Sequence, residues 1–121
     1  MKQSQIAVDS HGEVVIVTLH GEHDLHTSKE LTQRLDEALA SGAAVVDLTE
    51  AEFVDSSILG AIVNARRRAA DADRGFAVAL EGEGQPGVRR VLEVSGLSTA
   101  LPVHPSVEAA SSAARAQPDP V

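Results

Sequence analysis

Val45-Val46-Asp47-Leu48-Thr49-Glu50-Ala51-Glu52-Phe53-Val54-Asp55-Ser56-Ser57-Ile58-Leu59-Gly60 is the stretch whose reading decides the fold. Its first part belongs to Ala43–Leu48, a short, continuous apolar run of the kind found in strands buried on both faces. Thr49 to Asp55 reads as a loop. Beyond it Ile58, Leu59, Ile62, Val63, Ala65 and Ala69 recur at helical spacing, so a buried strand hands over to an amphipathic helix. Taken locally, Asp55 and the serines after it are helix caps, because their side-chain oxygens accept orphan N–H groups of the first turn. Arg66-Arg67-Arg68 near the end of the helix complement its dipole and read as a solvated terminus.

Upstream, Gln5–Asp9 and Val14–Leu19 flank His11-Gly12 and predict a hairpin. The polar segment Gly21-Glu22-His23-Asp24-Leu25-His26 follows as a loop, and Thr27-Ser28-Lys29-Glu30 has capping-box spacing, which places a helix start there. Leu31, Leu35, Ala38 and Leu39 give that helix one buried stripe, ended by Ser41-Gly42. Strand, helix and strand in this order imply a right-handed crossover and a sheet that is at least partly parallel.

Downstream come a strand at Phe76–Leu80, a helix at Val88–Val94 closed by Gly96, a short strand at Ala100–Val103 and an Ala-rich helix at Ser106–Ala116. The expectation is a single α/β domain over residues 1–116, a mixed sheet of about five strands with about four helices. Residues 117–121 are expected to be a frayed tail.

The 121 residues suit one domain. With two Phe and no Trp or Tyr, the core must be built from aliphatic side chains, and base stacking is largely ruled out. The net charge of −8 likewise disfavours nucleic acid. Without cysteine there is no disulfide, thiolate nucleophile or thiolate metal site. No apolar run approaches the length of a membrane span, so no membrane insertion is expected and a cytoplasmic protein is the simplest reading.

Three rival signals are weak. Gly82-Glu83-Gly84-Gln85-Pro86-Gly87 spells GxGxxG, but Glu83 would oppose a pyrophosphate, Pro86 removes a donor, and too little chain follows for a dinucleotide-binding half. A surface turn feeding a helix with Pro near its start explains the same residues. His20, His23 and His26, interleaved with Glu22 and Asp24, lie at a strand end and loop without a second ligand cluster, so they read as solvated loop histidines. Asp55, Ser56 and a loop histidine are the residue types of a hydrolase site, a distant third reading, since nucleophile elbow, P-loop and HExxH motifs are all missing.

The order of three landmarks, Gly21-Glu22-His23-Asp24, Val45-Val46-Asp47-Leu48 and Phe53-Val54-Asp55-Ser56-Ser57-Ile58-Leu59, resembles the STAS family, named for sulfate transporters and anti-sigma-factor antagonists. Val88–Leu97 (VRRVLEVSGL) is similar to a later pattern of that family. The resemblance implies a non-enzymatic binding switch without cofactor or metal. In such proteins the serine after the aspartate, here Ser56, is phosphorylated. The unphosphorylated form binds an anti-sigma factor that is also a serine kinase, and a serine phosphatase resets the switch. The implied partner-binding residues are His23, Asp24, Thr27, Asp55, Ser56, Ser57, Ile58 and Leu59. The alternative role is an accessory STAS subunit of a lipid-transport or stress-signalling complex. Two positions depart from the family pattern: Ile58 stands where glycine is usual, and His23 where an apolar residue is usual.

Overall fold

The computed structural model describes residues 4–81, 86–96 and 101–116. Strands β1 (Gln5–His11) and β2 (Val14–His23) form the expected hairpin, paired antiparallel from Gln5↔His20 to His11↔Val14. They are followed by α1 (Leu25–Ser41), β3 (Ala43–Asp47), β4 (Ala51–Val54), α2 (Ser56–Asp71), β5 (Phe76–Ala79), α3 (Pro86–Ser95), β6 (Val103–His104) and α4 (Val107–Ala116). The sheet order is β1-β2-β3-β5-β6, with β4 also paired to β2, and every pairing except β1–β2 is parallel.

The described residues thus hold six strands and four helices, and the extra strand is β4, which lies inside the segment read as a loop. Its four residues are too few to show a periodicity. They pair because β2 is ten residues long and reaches past β3 to a second parallel partner. Val14 to Thr18 of β2 lie beside β3, while Gly21 to His23 lie beside β4. The register shifts between Gly21 and Glu22, and Gly21 takes a φ of +84°, a left-handed conformation in which a side chain would be strained.

The start of α1 also differs from expectation. Asp24, not Thr27, caps the helix, so the Thr27–Glu30 pair lies within it. A hydroxyl and a glutamate at the right spacing form a capping box only if the backbone turns helical there, and an aspartate three residues earlier has already started the helix. The strand expected at Ala100–Val103 is shorter and later, at Val103–His104, and residues 97–100 lie outside the described residues. The same holds for residues 82–85 of the GxGxxG run and for the tail at 117–121. Pro86 is the first residue of α3, where its missing N–H costs nothing.

Alternation along the strands divides the core in two. Val15, Val17, Leu19, Ala44, Val46, Leu48 and Val78 face α1, α2 and α3, meeting Leu31, Leu35, Ile58, Ile62 and Leu92. Each such leucine or isoleucine, buried fully, contributes about 1.5–3 kcal/mol. Val14, Ile16, Val45, Ala77 and Ala79 face the other way, against Ala110 and Ala114 of α4. Alanine against alanine brings that helix close to the strands. Burial of β3 on both faces is as its apolar run predicts.

Among the described residues, the charged side chain of Asp47 enters the interior as part of the frame. Asp47 is 6% exposed and accepts from the Thr18 hydroxyl at 3.2 Å and from the Thr49 N–H and hydroxyl at 2.9 and 2.6 Å. These bonds satisfy the carboxylate and turn the chain out of β3 toward β4. No helix among the described residues is long and apolar enough to cross a membrane.

Candidate protein-binding site

Where β2 and β4 end, they end in step: Glu22 lies beside Phe53 and His23 beside Val54. The next residue on each strand is an aspartate, and each aspartate caps a helix. Asp24, in extended backbone, accepts the His26 N–H at 2.9 Å. Asp55 does the same for α2, its Oδ1 accepting from the N–H groups of Ser57 at 2.9 Å and Ile58 at 3.1 Å. Each carboxylate satisfies donors that the first helical turn leaves open, with the negative charge at the favourable end of the dipole. The result is one end of the molecule carrying two neighbouring, aspartate-capped helix N-termini. Replacing Asp55 by alanine is expected to cost about 1–2 kcal/mol of stability in urea unfolding, with Asp55→Asn retaining most of it.

Ser56 is the first residue of α2 and is exposed, and its hydroxyl has no hydrogen-bond partner among the described residues. Ser57 is half-buried, its backbone tied to Asp55. Asp24 is exposed and Thr27 half-buried. These residues, with Asp55, are brought together at one end of the molecule.

Three of the expected contact residues face inward instead. Ile58 and Leu59 are 0% and 2% exposed, because helical spacing turns them onto the core beside Leu31 and Leu35. Ile58 sits at a helical position without positive φ, so nothing in the backbone there calls for glycine. His23 is 1% exposed and not a solvated loop histidine. Its Nδ1 lies 3.0 Å from the Thr27 hydroxyl and its Nε2 2.9 Å from the His20 carbonyl oxygen. Both ring nitrogens are therefore engaged, and neither serves Ser56 as a hydrolase base would have to.

The structure adds two exposed apolar side chains to this end, Leu25 (69%) at the first position of α1 and Phe53 (41%) on β4. Leu25 was masked in the sequence by a polar neighbourhood. An apolar residue directly after a capping aspartate is the signal that marks it. No group of three or more histidine, aspartate or glutamate side chains with metal-site geometry occurs among the described residues. Arg68, in the last turn of α2 as expected, is partly exposed and also lies 2.7 Å from Asp36 of α1, tying the two helices together.

The family profile described as "Mlab, STAS domain" matches residues 6–103. An anti-sigma F factor antagonist from Paenibacillus polymyxa is 34% identical over 103 residues, covering 83% of this chain and 86% of that protein. Among solved structures, an anti-sigma factor antagonist from Mycobacterium paratuberculosis superposes with a TM-score of 0.80 at 29% identity, covering 93% of this chain and 95% of that one. The phosphorylated form of the Bacillus cell fate determinant SpoIIAA shares the fold, with a TM-score of 0.65 at 21% identity over 87% of this chain and 96% of that one. With two aspartate-capped helices rising side by side from β2 and β4, and a profile match across most of its length, the chain belongs to the STAS domain family.

Proposed function

We propose that the chain is an anti-sigma-factor antagonist, a binding protein rather than an enzyme, whose docking to an anti-sigma factor is governed by phosphorylation of Ser56. The observation that carries this reading is the exposed hydroxyl at the start of α2, without a hydrogen-bond partner among the described residues, on a face built by two helix N-termini. The relatives named as antagonists favour it over a subunit of a transport complex. The partner is an anti-sigma factor with serine kinase activity, a serine phosphatase removes the phosphate, and the exchange takes place in the cytoplasm. Residues 1–116 form the binding unit, and 117–121 a tail.

The local chemistry suits a switch. The α2 dipole tolerates an anion at its N-terminus, so the fold survives phosphorylation. Two of the donors that would otherwise hold a phosphate, the N–H groups of Ser57 and Ile58, are already taken by Asp55. A phosphate on Ser56 is therefore not drawn into its own helix. It stands beside the Asp55 carboxylate and projects toward whatever docks there, adding roughly −1.5 to −2 charges that the partner must desolvate. Contact falls to Asp24, Thr27, Asp55, Ser56 and Ser57, with Leu25 and Phe53 as apolar neighbours.

Incubation with the cognate kinase and ATP is expected to add one phosphate, which peptide mapping places on Ser56. Modification at Ser57 or Thr49 instead would overturn the residue assignment. Failure to recover any ATP-dependent serine kinase with the Ser56→Ala chain would remove the antagonist role.

A further inference from the structure

His23 occupies an uncommon position for its chemistry: it is 1% exposed, yet both ring nitrogens have partners on different segments. Nε2 reaches back to the His20 carbonyl, beside the point where the register of β2 shifts. A bulge disrupts the ladder locally, so a side chain that bonds the carbonyl there steadies the bend. Nδ1 reaches forward to the Thr27 hydroxyl, which in turn lies 3.2 Å from the Asp24 carbonyl oxygen. Bulge, imidazole, hydroxyl and cap residue form one chain of contacts.

From this geometry we infer that His23 is a positioning residue, a latch that holds the first turn of α1 against the β2 bulge and so sets Asp24 and Leu25 beside Ser56. The assignment rests on the proposed role of the Ser56 face. Donor and acceptor roles follow from the partners. The His20 carbonyl only accepts, so Nε2 carries a proton. In the neutral ring Nδ1 then has a lone pair, which accepts the Thr27 hydroxyl proton. In the doubly protonated ring Nδ1 donates to Thr27, whose own proton turns to the Asp24 carbonyl. In the neutral form, with the hydroxyl proton directed at Nδ1, the Asp24 carbonyl is held by the Thr27 N–H at 3.0 Å, and in the doubly protonated form by the hydroxyl as well. Asp24 before α1, His26 on α1, Glu22 and His20 on β2, Glu52 on β4 and Asp55 before α2 are the titratable neighbours in sequence and register. An apolar side chain at position 23 would fill the same space but leave the first turn of α1 tied to the bulge by backbone alone.

The test compares two neighbouring helix starts in the free protein. In His23→Leu, amide hydrogen exchange at His26 and Thr27, whose N–H groups bond Asp24, is expected to accelerate about tenfold. Exchange at Ser57 and Ile58, which bond Asp55, should stay within about twofold, because the latch does not touch that cap. Thr27→Val, which keeps shape and loses the hydroxyl, should reproduce the effect, and the double variant should add nothing further. In the wild type, nitrogen chemical shifts of the ring at neutral pH should show a protonated Nε2 bonded to His20. Equal acceleration at both helix starts, or none at either, overturns the latch. With the kinase that the Ser56→Ala chain retains as probe, His23→Leu should bind several-fold more weakly; undiminished affinity overturns the positioning role. Failure of the Ser56 reading has a separate signature: Ser56→Asp then binds that kinase as tightly as wild type, while the exchange pattern in the free protein is unaffected.

Discussion

Ser56→Asp is expected to bind the anti-sigma factor about a thousandfold more weakly than the wild type, whereas Ser56→Ala binds constitutively, with or without ATP. The physical basis is an asymmetry between the two environments of one oxygen. In the free protein the side chain at position 56 is in water, so a charge there is solvated and the helix start accommodates it. In the complex the same charge must leave water against a surface shaped for a hydroxyl and lies close to the Asp55 carboxylate. A loss of about 4 kcal/mol accounts for the thousandfold change, within the range for a charge buried without a partner. Titration calorimetry checks it directly. Equal affinities for the two variants would sink the switch, and a matching loss in Ser56→Ala would recast the hydroxyl as an ordinary contact.

Gly75→Ala is the substitution expected to damage the fold most. Gly75 lies immediately before β5, and a Cβ built there would land on the backbone carbonyl of Ala114 in α4, with the Ala114 Cα only 3.2 Å away. The obstacle is backbone, which cannot rotate away as a side chain would. Gly75 is also fixed by its neighbour strand, since its carbonyl accepts the Ala44 N–H at 3.0 Å. Accommodation therefore requires α4 to lift from the sheet, opening the contact of Ala110 and Ala114 with Val14, Val45 and Ala77. Such overpacking is expected to cost about 3 kcal/mol or more, read as a lowered urea midpoint with loss of α4 protection in hydrogen exchange. A loss below about 0.5 kcal/mol, the range of ordinary surface substitutions, would contradict this account of how α4 docks. Gly75 precedes β5 at the N-terminal edge of the parallel strands, whereas Ser56 follows β4 at their C-terminal edge. A Gly75 variant that does fold should thus keep its Ser56 chemistry.

The hairpin, α1 and α2 were legible because each carries its own periodicity over enough residues to separate a helical from an extended pattern, and β3 and β5 because each is a continuous apolar run. Leu31, Leu35, Ala38 and Leu39 report the buried side of α1 wherever the helix begins, which is why the stripe was right although the cap was three residues off. Strand β4 was not legible. Ala51 and Val54 are buried while Phe53 is exposed, a pattern that follows from its bulged pairing with β2 and from no local preference. The Asp-Ser-Ser segment marked the site, but Ile58 and Leu59 look identical in sequence whether they face a partner or the core. Only the helical rotation set by Asp55 sends them inward.

The amino-acid order by itself determined the helices and the longer strands, though not β4, that β3 is buried on both faces, and that a hydroxyl follows a capping aspartate at the start of α2, because these depend on neighbours a few residues apart. Only the tertiary structure decided that β2 serves two parallel partners, that Asp24 and Asp55 end in step, and that His23 is enclosed with both nitrogens engaged. Those features arise from contacts between segments far apart in the chain, where register and packing, not local preference, decide which side chain meets water.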